Sequence, residues 1–330
     1  YNNNINGLSV LDAPHSNFDN NINTGHVIEL NGYSSLLIGN GNFEANSSNS
    51  SGAAISIGSE ATANIIETVF SQNQAASYGG AINSYGNLNI GFSSFQQNNA
   101  LNGGALCLNN GTANLQAVEF RNNNAEIGGA IYEKNMDNII MQYILVADNH
   151  ASQKGGGMYF YQYDPVFTNM TLANNSATYQ GAGLFANSGV FPVFINSIIW
   201  GNQAADGAQV YLSSGSEIIV NYSDIQSGEA GIIGFDDIIF NNNISIDPDF
   251  VDSQNGDYSL QVTSPCIDSG SPSSEYDPDG TVADMGLYYY DQAINIPGCM
   301  DESAQNYEQE ANVDIGCIYG PDFISIYDVP

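Results

Sequence analysis

The chain has 330 residues, only three Lys+Arg against 35 Asp+Glu, and a formal charge of -32. Such a surface repels phosphate backbones and anionic headgroups, which argues against nucleic acid and against membrane-surface partners. No apolar run approaches the roughly 18 residues of a transmembrane helix, which argues against membrane insertion. At 42% hydrophobic residues the chain leaves the disordered class and can build a packed core.

The N-terminal forty residues are polar and Asn-rich, with no secretion signal in view. A start at Tyr1 without Met leads us to expect a processed or longer natural chain. From Phe43 a motif recurs. It reads F-S-Q-N at Phe70, F-Q-Q-N at Phe95 and F-R-N-N at Phe120, each followed by G-G-A-[IL], with looser copies at Phe43, Val146, Leu172 and Ile199. The marker residues Asn46, Asn73, Asn98, Asn123, Asn149, Asn175 and Asn202 are spaced 25 to 27 apart. That period suits either a leucine-rich repeat or one coil of a β-helix. Each copy offers short β-type runs separated by Gly, Asn and Ser, without helical periodicity, and this favours the β-helix.

Aligning the copies produces three apolar columns. One holds Ile65, Ile90, Leu115, Met141, Phe167 and Phe194; another holds Phe70, Phe95, Phe120, Val146, Leu172 and Ile199. A third follows the glycines with Ile55, Ile82, Leu106, Ile131, Met158, Leu184 and Val210. Like residues stacked about 4.8 Å apart make a solenoid core. The Asn column is expected to form a side-chain ladder, and the Gly-Gly-Ala step a tight bend. The fold class is therefore all-β, a right-handed parallel β-helix over residues 1–246, with regular coils at about 40–225. The F-x-x-N and G-G-A-[IL] pairing over residues 40–212 resembles the repeats of chlamydial polymorphic outer-membrane proteins and related exported β-helices. The resemblance implies an exported, secreted or cell-surface protein, of Gram-negative bacterial type.

From Asp247 the rhythm changes. D-P-D-F-V-D…S-P-C-I-D-S-G and D-P-D-G-T-V-A-D-M-G resemble the segment that closes many bacterial exported β-helices, here 247–292. Leu260, Ile267, Met285, Leu287 and Tyr288–Tyr290 are expected to cap the solenoid end. Cys299 and Cys317 bracket a short Asp/Asn-rich loop and read as a disulfide; a module of this size needs such a staple. Residues 298–319 resemble a module of large secreted bacterial proteins, including type IX secretion clients, which makes that route an expectation. Residues 321–330 read as a linker or the start of a further segment. Cys107 and Cys266 sit in apolar contexts and read as buried free thiols.

Three candidate sites follow. One position past the third column lie Tyr132, Tyr159, Phe185 and Tyr211, which alternation places outside as an aromatic ladder suited to sugar rings or a protein partner. Acidic loops at Asp247, Asp249, Asp252 and Asp257, at Asp277, Asp279 and Asp284, and at Asp301 and Asp314 supply the oxygen ligands that calcium prefers. Catalysis finds no coherent set. The cations are only Arg121, Lys134 and Lys154, at different repeat offsets, and the aspartates of the repeats are scattered. The reading is an adhesin-like or structural β-helix that presents a face to glycan or surface protein. A polysaccharide lyase or hydrolase on this fold is the rival, and self-association into a filament or layer is a third possibility.

Overall fold

The computed structural model describes residues 3–6, 10–12, 15–21, 25–187, 189–234, 237–292, 297–302, 304, 306–308, 311–314 and 316–318, with backbone alone at 3–6, 10–12, 297 and 314. The chain winds into a parallel β-solenoid. Each coil adds a strand to two long parallel sheets. One sheet runs through ten strands from Asn3–Asn6 to Ile232–Ile233. The other follows a path from Val10–Asp12 to Ile238–Asn241 and counts sixteen strands in all. A third, narrower face carries Ser47–Ser48 with Gln74–Ala75, and Asn124–Ile127 with His150–Lys154 and Ser176–Ala177.

The three apolar columns stand in direct register. Ile55, Ile82, Leu106, Ile131, Met158, Leu184 and Val210 pair coil to coil and are fully buried. Ile65 to Phe194 and Phe70 to Ile199 do the same. The rings of Phe18, Phe43, Phe70, Phe95 and Phe120 stack at 4.6 to 4.9 Å. Burial of this continuous core is the dominant favourable contribution to folding.

The expected amide ladder is present and saturated. Each Asn Nδ2 donates to the Oδ1 of the next coil's Asn at 2.9 to 3.0 Å, from Asn46 through Asn202. The same Oδ1 accepts a backbone N–H, and the second amide proton goes to a carbonyl of the preceding coil, as from Asn123 to Phe95 O at 3.0 Å. The residue before each Asn lies in the left-handed region, from Ala45 to Asn174, with φ between 53° and 59°. The ladder ends at Asn202, whose Nδ2 donates to Gln209 Oε1 at 2.8 Å, while Gln209 Nε2 goes on to Gln226. Gln209 replaces the small alanine of the motif and terminates the stack. The glycine pair is a matter of space: a Cβ on Gly104 would sit 2.1 Å from Gly129 O of the next coil.

The closing segment does not cap the solenoid end; it lies as a strap along the outer wall. Tyr258, Phe250, Leu287 and Tyr288 pack on Leu145, Ala147 and Ala173, and Leu260, Cys266 and Met285 pack on Ile198. These wall residues alternate with the core columns and so point outward, which leaves an apolar strip that needs a lateral cover. Polar contacts pin the strap further back. Arg121 Nη1 donates to Gly256 O at 2.7 Å, Tyr288 OH to Glu119 at 2.6 Å and Tyr258 OH to Asp148 at 2.9 Å. The Cys299–Cys317 disulfide forms, and Cys107 and Cys266 are buried free thiols.

Replacing Asn123 by Ala removes one rung and orphans the buried groups of both neighbours. We expect a loss of at least about 2 kcal/mol, since each buried unsatisfied group costs about 1–3 kcal/mol. Chemical denaturation of the variant checks this. A change below 0.5 kcal/mol would mean that the ladder follows the fold rather than holding it.

Candidate functional site

The aromatic column forms, but it is not an open platform. Tyr132, Tyr159, Phe185 and Tyr211 are consecutive register partners. Their rings lie flat on one another at 5.0 to 5.2 Å and within 10° of parallel. The faces that would receive a sugar are used up by neighbouring rings. Tyr159 is 9% exposed and Phe185 2%, with Lys154 Nζ 4.6 Å above the Phe185 ring. Burial pushes the Tyr159 phenol up to about 12. Only Tyr132 and Tyr211, at the two ends, keep partial exposure. The expectation of four exposed rings is thus corrected: coil spacing matches ring-stacking distance, and the column closes on itself.

The acidic loops are built as turns. Asp247 accepts from Asp249 N at 3.1 Å, Asp249 from Gln261 Nε2 at 3.0 Å, and Asp252 from Asn255 Nδ2 at 2.7 Å. Asp257 accepts from Ser259 N, Asp279 from Thr281 N and Gln292 N, and Asp277 from Asp284 N at 2.7 Å. Asp284 is 2% exposed and accepts from Asp268 N and Tyr290 N at 2.6 and 2.7 Å. Asp301 lies exposed in the stapled module, and the Asp314 side chain falls outside the described residues. Among the described residues no three His, Cys, Asp or Glu side chains converge as metal ligands. Two of the three cations are also committed, Arg121 to Glu119 at 2.9 Å and Lys154 to Phe185.

The strap creates a site that the sequence reading did not contain. A second left-handed corner runs down the wall through Asn40, Glu67, Phe92, Ala117, Tyr143, Asn169, Asn196, Tyr222 and Asn242, with φ from 49° to 56°. Asn tolerates this conformation; a bulky ring there is strained by about 1–2 kcal/mol. Two of the asparagines receive the strap. Asn169 Nδ2 donates to Asp284 O and Gly286 O at 3.2 and 3.3 Å, and Asn196 Oδ1 accepts from Ser271 N at 2.7 Å. Beside them a groove of about 390 Å³ opens between Phe92 and Tyr143 on the wall and Glu275, Tyr276, Asp277 and Tyr289 on the strap. Its rings are accessible: Phe92 66%, Tyr276 64%, Tyr289 40% and Tyr143 38% exposed. Burial, then the charges of Glu275 and Asp277, raise the Tyr143 phenol. No Lys, Arg or His lines the groove among the described residues.

Residues 67–85 match the Chlamydia polymorphic membrane protein (Chlamydia_PMP) repeat. The matched stretch contains the Phe70 to Asn73 turn, the Gly79-Gly80 step and the strand Ile82–Ser84, so the family motif coincides with the ladder corner and the close glycine approach. The fold is thus a β-helix with polymorphic-membrane-protein-like repeats, and a repeat of this family implies an exported protein of the surface or outer membrane. No curated protein and no solved structure matches the chain. Among the described residues no helix is long and apolar enough to cross a membrane.

Two buried carboxyls tie the strap to pH. Burial lifts Asp284 to about 7 and Asp224, which accepts from Cys266 Sγ, to about 6. Both lie above the unfolded value of about 3.9. The folded state therefore binds these protons more tightly, and stability rises as pH falls from about 7 toward about 4. We expect the melting temperature to be higher at pH 5 than at pH 8, and Asp224→Asn to flatten part of that rise. Equal slopes in both proteins would remove Asp224 from the account.

Proposed function

We propose that the chain is an exported, cell-surface β-helix that acts as an adhesin-like binding module, presenting one elongated flank to glycan or protein. The observation that carries this reading is the collection of accessible rings at the strap corner, on a scaffold stiffened by two continuous side-chain stacks. Rigid placement lowers the ordering cost of binding, and accessible aromatics supply the contact area. The family of the matched repeat supports a surface location. Against the enzyme reading stands the use of two groove carboxylates, the half-buried Asp277 and the buried Asp284, as backbone acceptors that fix the strap. Calcium remains a proposal for the acidic strap loops, where it would stiffen turns already formed.

Self-association is supported by a different feature. Outward positions of the long sheet align Ile140, Val166, Val193, Ile219 and Ile239 in consecutive register. Ile140, Val166 and Ile239 are 43%, 46% and 45% exposed. Such a flat aliphatic stripe favours contact with a like surface, and light scattering against concentration and salt reads it directly.

The deciding measurement is a glycan and surface-protein array probed with the whole chain, in calcium and in chelator, with released sugar assayed in the same wells. We expect retention without release. Sugar release would replace the binding module by a glycosidase or lyase, and retention lost in chelator would assign calcium a structural part.

A further inference from the structure

Four residues of the left-handed corner face the strap in two different ways. Where the strap docks, the corner residues are Asn169 and Asn196, and their amides bond the strap's backbone. Where the strap stands off, the corner carries Phe92 and Tyr143, whose rings project into the groove. An aromatic at a left-handed position gives the turn nothing that Asn does not give with less strain. Nor does burial explain Phe92, which is 66% exposed. What the rings add is accessible aromatic surface, held rigidly across from Tyr276 and Tyr289.

The surroundings narrow the ligand. Glu275 and Asp277 flank the rings, no cationic side chain lines the groove among the described residues, and the whole chain carries a formal charge of -32. We propose that this groove is a saccharide subsite for neutral or amine-bearing sugars, a specification that rests on the binding reading above. The apolar C–H faces of the sugar stack on Phe92, Tyr143, Tyr276 and Tyr289. Its hydroxyls or ammonium groups donate to Glu275 and Asp277, and an ammonium also gains from the ring faces. Uronates, sialylated and sulfated chains meet only like charge and are excluded. The volume of about 390 Å³ falls in the range of about 300–1,000 Å³ typical of small-ligand sites and suits a short oligosaccharide.

Calorimetric titration of the whole chain with N-acetylglucosamine, glucosamine and galacturonate trimers tests the assignment. We expect one or both of the first two to bind and the galacturonate trimer not to. Phe92→Asn should weaken binding at least about tenfold while the melting temperature stays equal or rises, because strain is relieved as the platform is lost. Tyr276→Ala on the strap should weaken it as well, and Phe191→Ala, an exposed ring outside the groove, should not. Galacturonate binding as tightly as the others overturns the proposed selectivity. Unchanged affinity in both groove variants overturns the site and leaves the adhesin-like reading standing. If none of the three trimers binds, the saccharide assignment fails, and the array result alone then decides the broader reading.

Discussion

The structure depends on one hydrogen bond repeated coil after coil, the Asn side-chain amide to the next Asn side-chain carbonyl. A buried primary amide has two donors and one carbonyl to satisfy, and leaving any of them unpaired is costly. Stacking identical amides solves this for all copies at once, because each residue supplies what its neighbour lacks. The solution imposes constraints. From Ile65 to Asn73 is eight residues, and the same holds from Ile90 to Asn98, Leu115 to Asn123, Met141 to Asn149, Phe167 to Asn175 and Phe194 to Asn202. Both left-handed corners lie inside this span. Length variation between coils falls elsewhere, as in the register shift between Ala125 and Ile127 on the narrow face.

Fixing that span fixes which residues face out. Leu145 lies opposite Glu119 on one side and Thr171 on the other, with Ile198 and Asp224 continuing the outward column. The middle of this column, Leu145, Thr171 and Ile198, is buried under the strap. The strap also has polar anchors at the ends of the strip, where the column turns to Glu119 and Asp224. Glu119 takes Tyr288 and Arg121, and Asp224 takes Cys266. Burial of Leu145 and Ile198 attaches the middle, where the Thr171 hydroxyl also accepts from Leu287 N at 2.9 Å, and further hydrogen bonds set the register at the ends. A segment that a cap analogy places over the open coil is thus placed along the side by the pattern of the wall itself.

The repeat, the three core columns, the amide ladder and the disulfide were legible in the sequence because each depends on residue type at a fixed spacing. The strap's position was less so, although a trace of it exists. The runs I-L-V-A at 144–147 and I-I-W at 198–200 are apolar at successive positions, whereas a wall facing water would alternate. The aromatic column was read correctly as a register and wrongly as an exposed surface. Sequence fixes that Tyr159 follows Tyr132 in the stack, but ring orientation decides whether faces or edges look outward, and χ angles are not visible in spacing. The groove was not legible, since it joins residues such as Phe92 and Tyr276 that come together only when the strap lies on the wall.

The second left-handed corner shows how one backbone constraint can serve two ends. Every residue from Asn40 to Asn242 in that column must accept φ near 50°, whatever its side chain. Asn meets the constraint with little strain and offers an amide; two copies spend it on strap carbonyls and amides. The small Ala117 meets it and offers room. Phe92, Tyr143 and Tyr222 meet it at a cost, and for Phe92 that cost is borne in a regular coil: Phe95 stacked on both neighbours, Asn98 fully bonded, Leu88 and Ile90 buried. The accessible rings at Phe92 and Tyr143 stand on coils through which the Asn ladder is continuous, so a hydrogen-bonded stretch of the solenoid is also the part that holds these rings out.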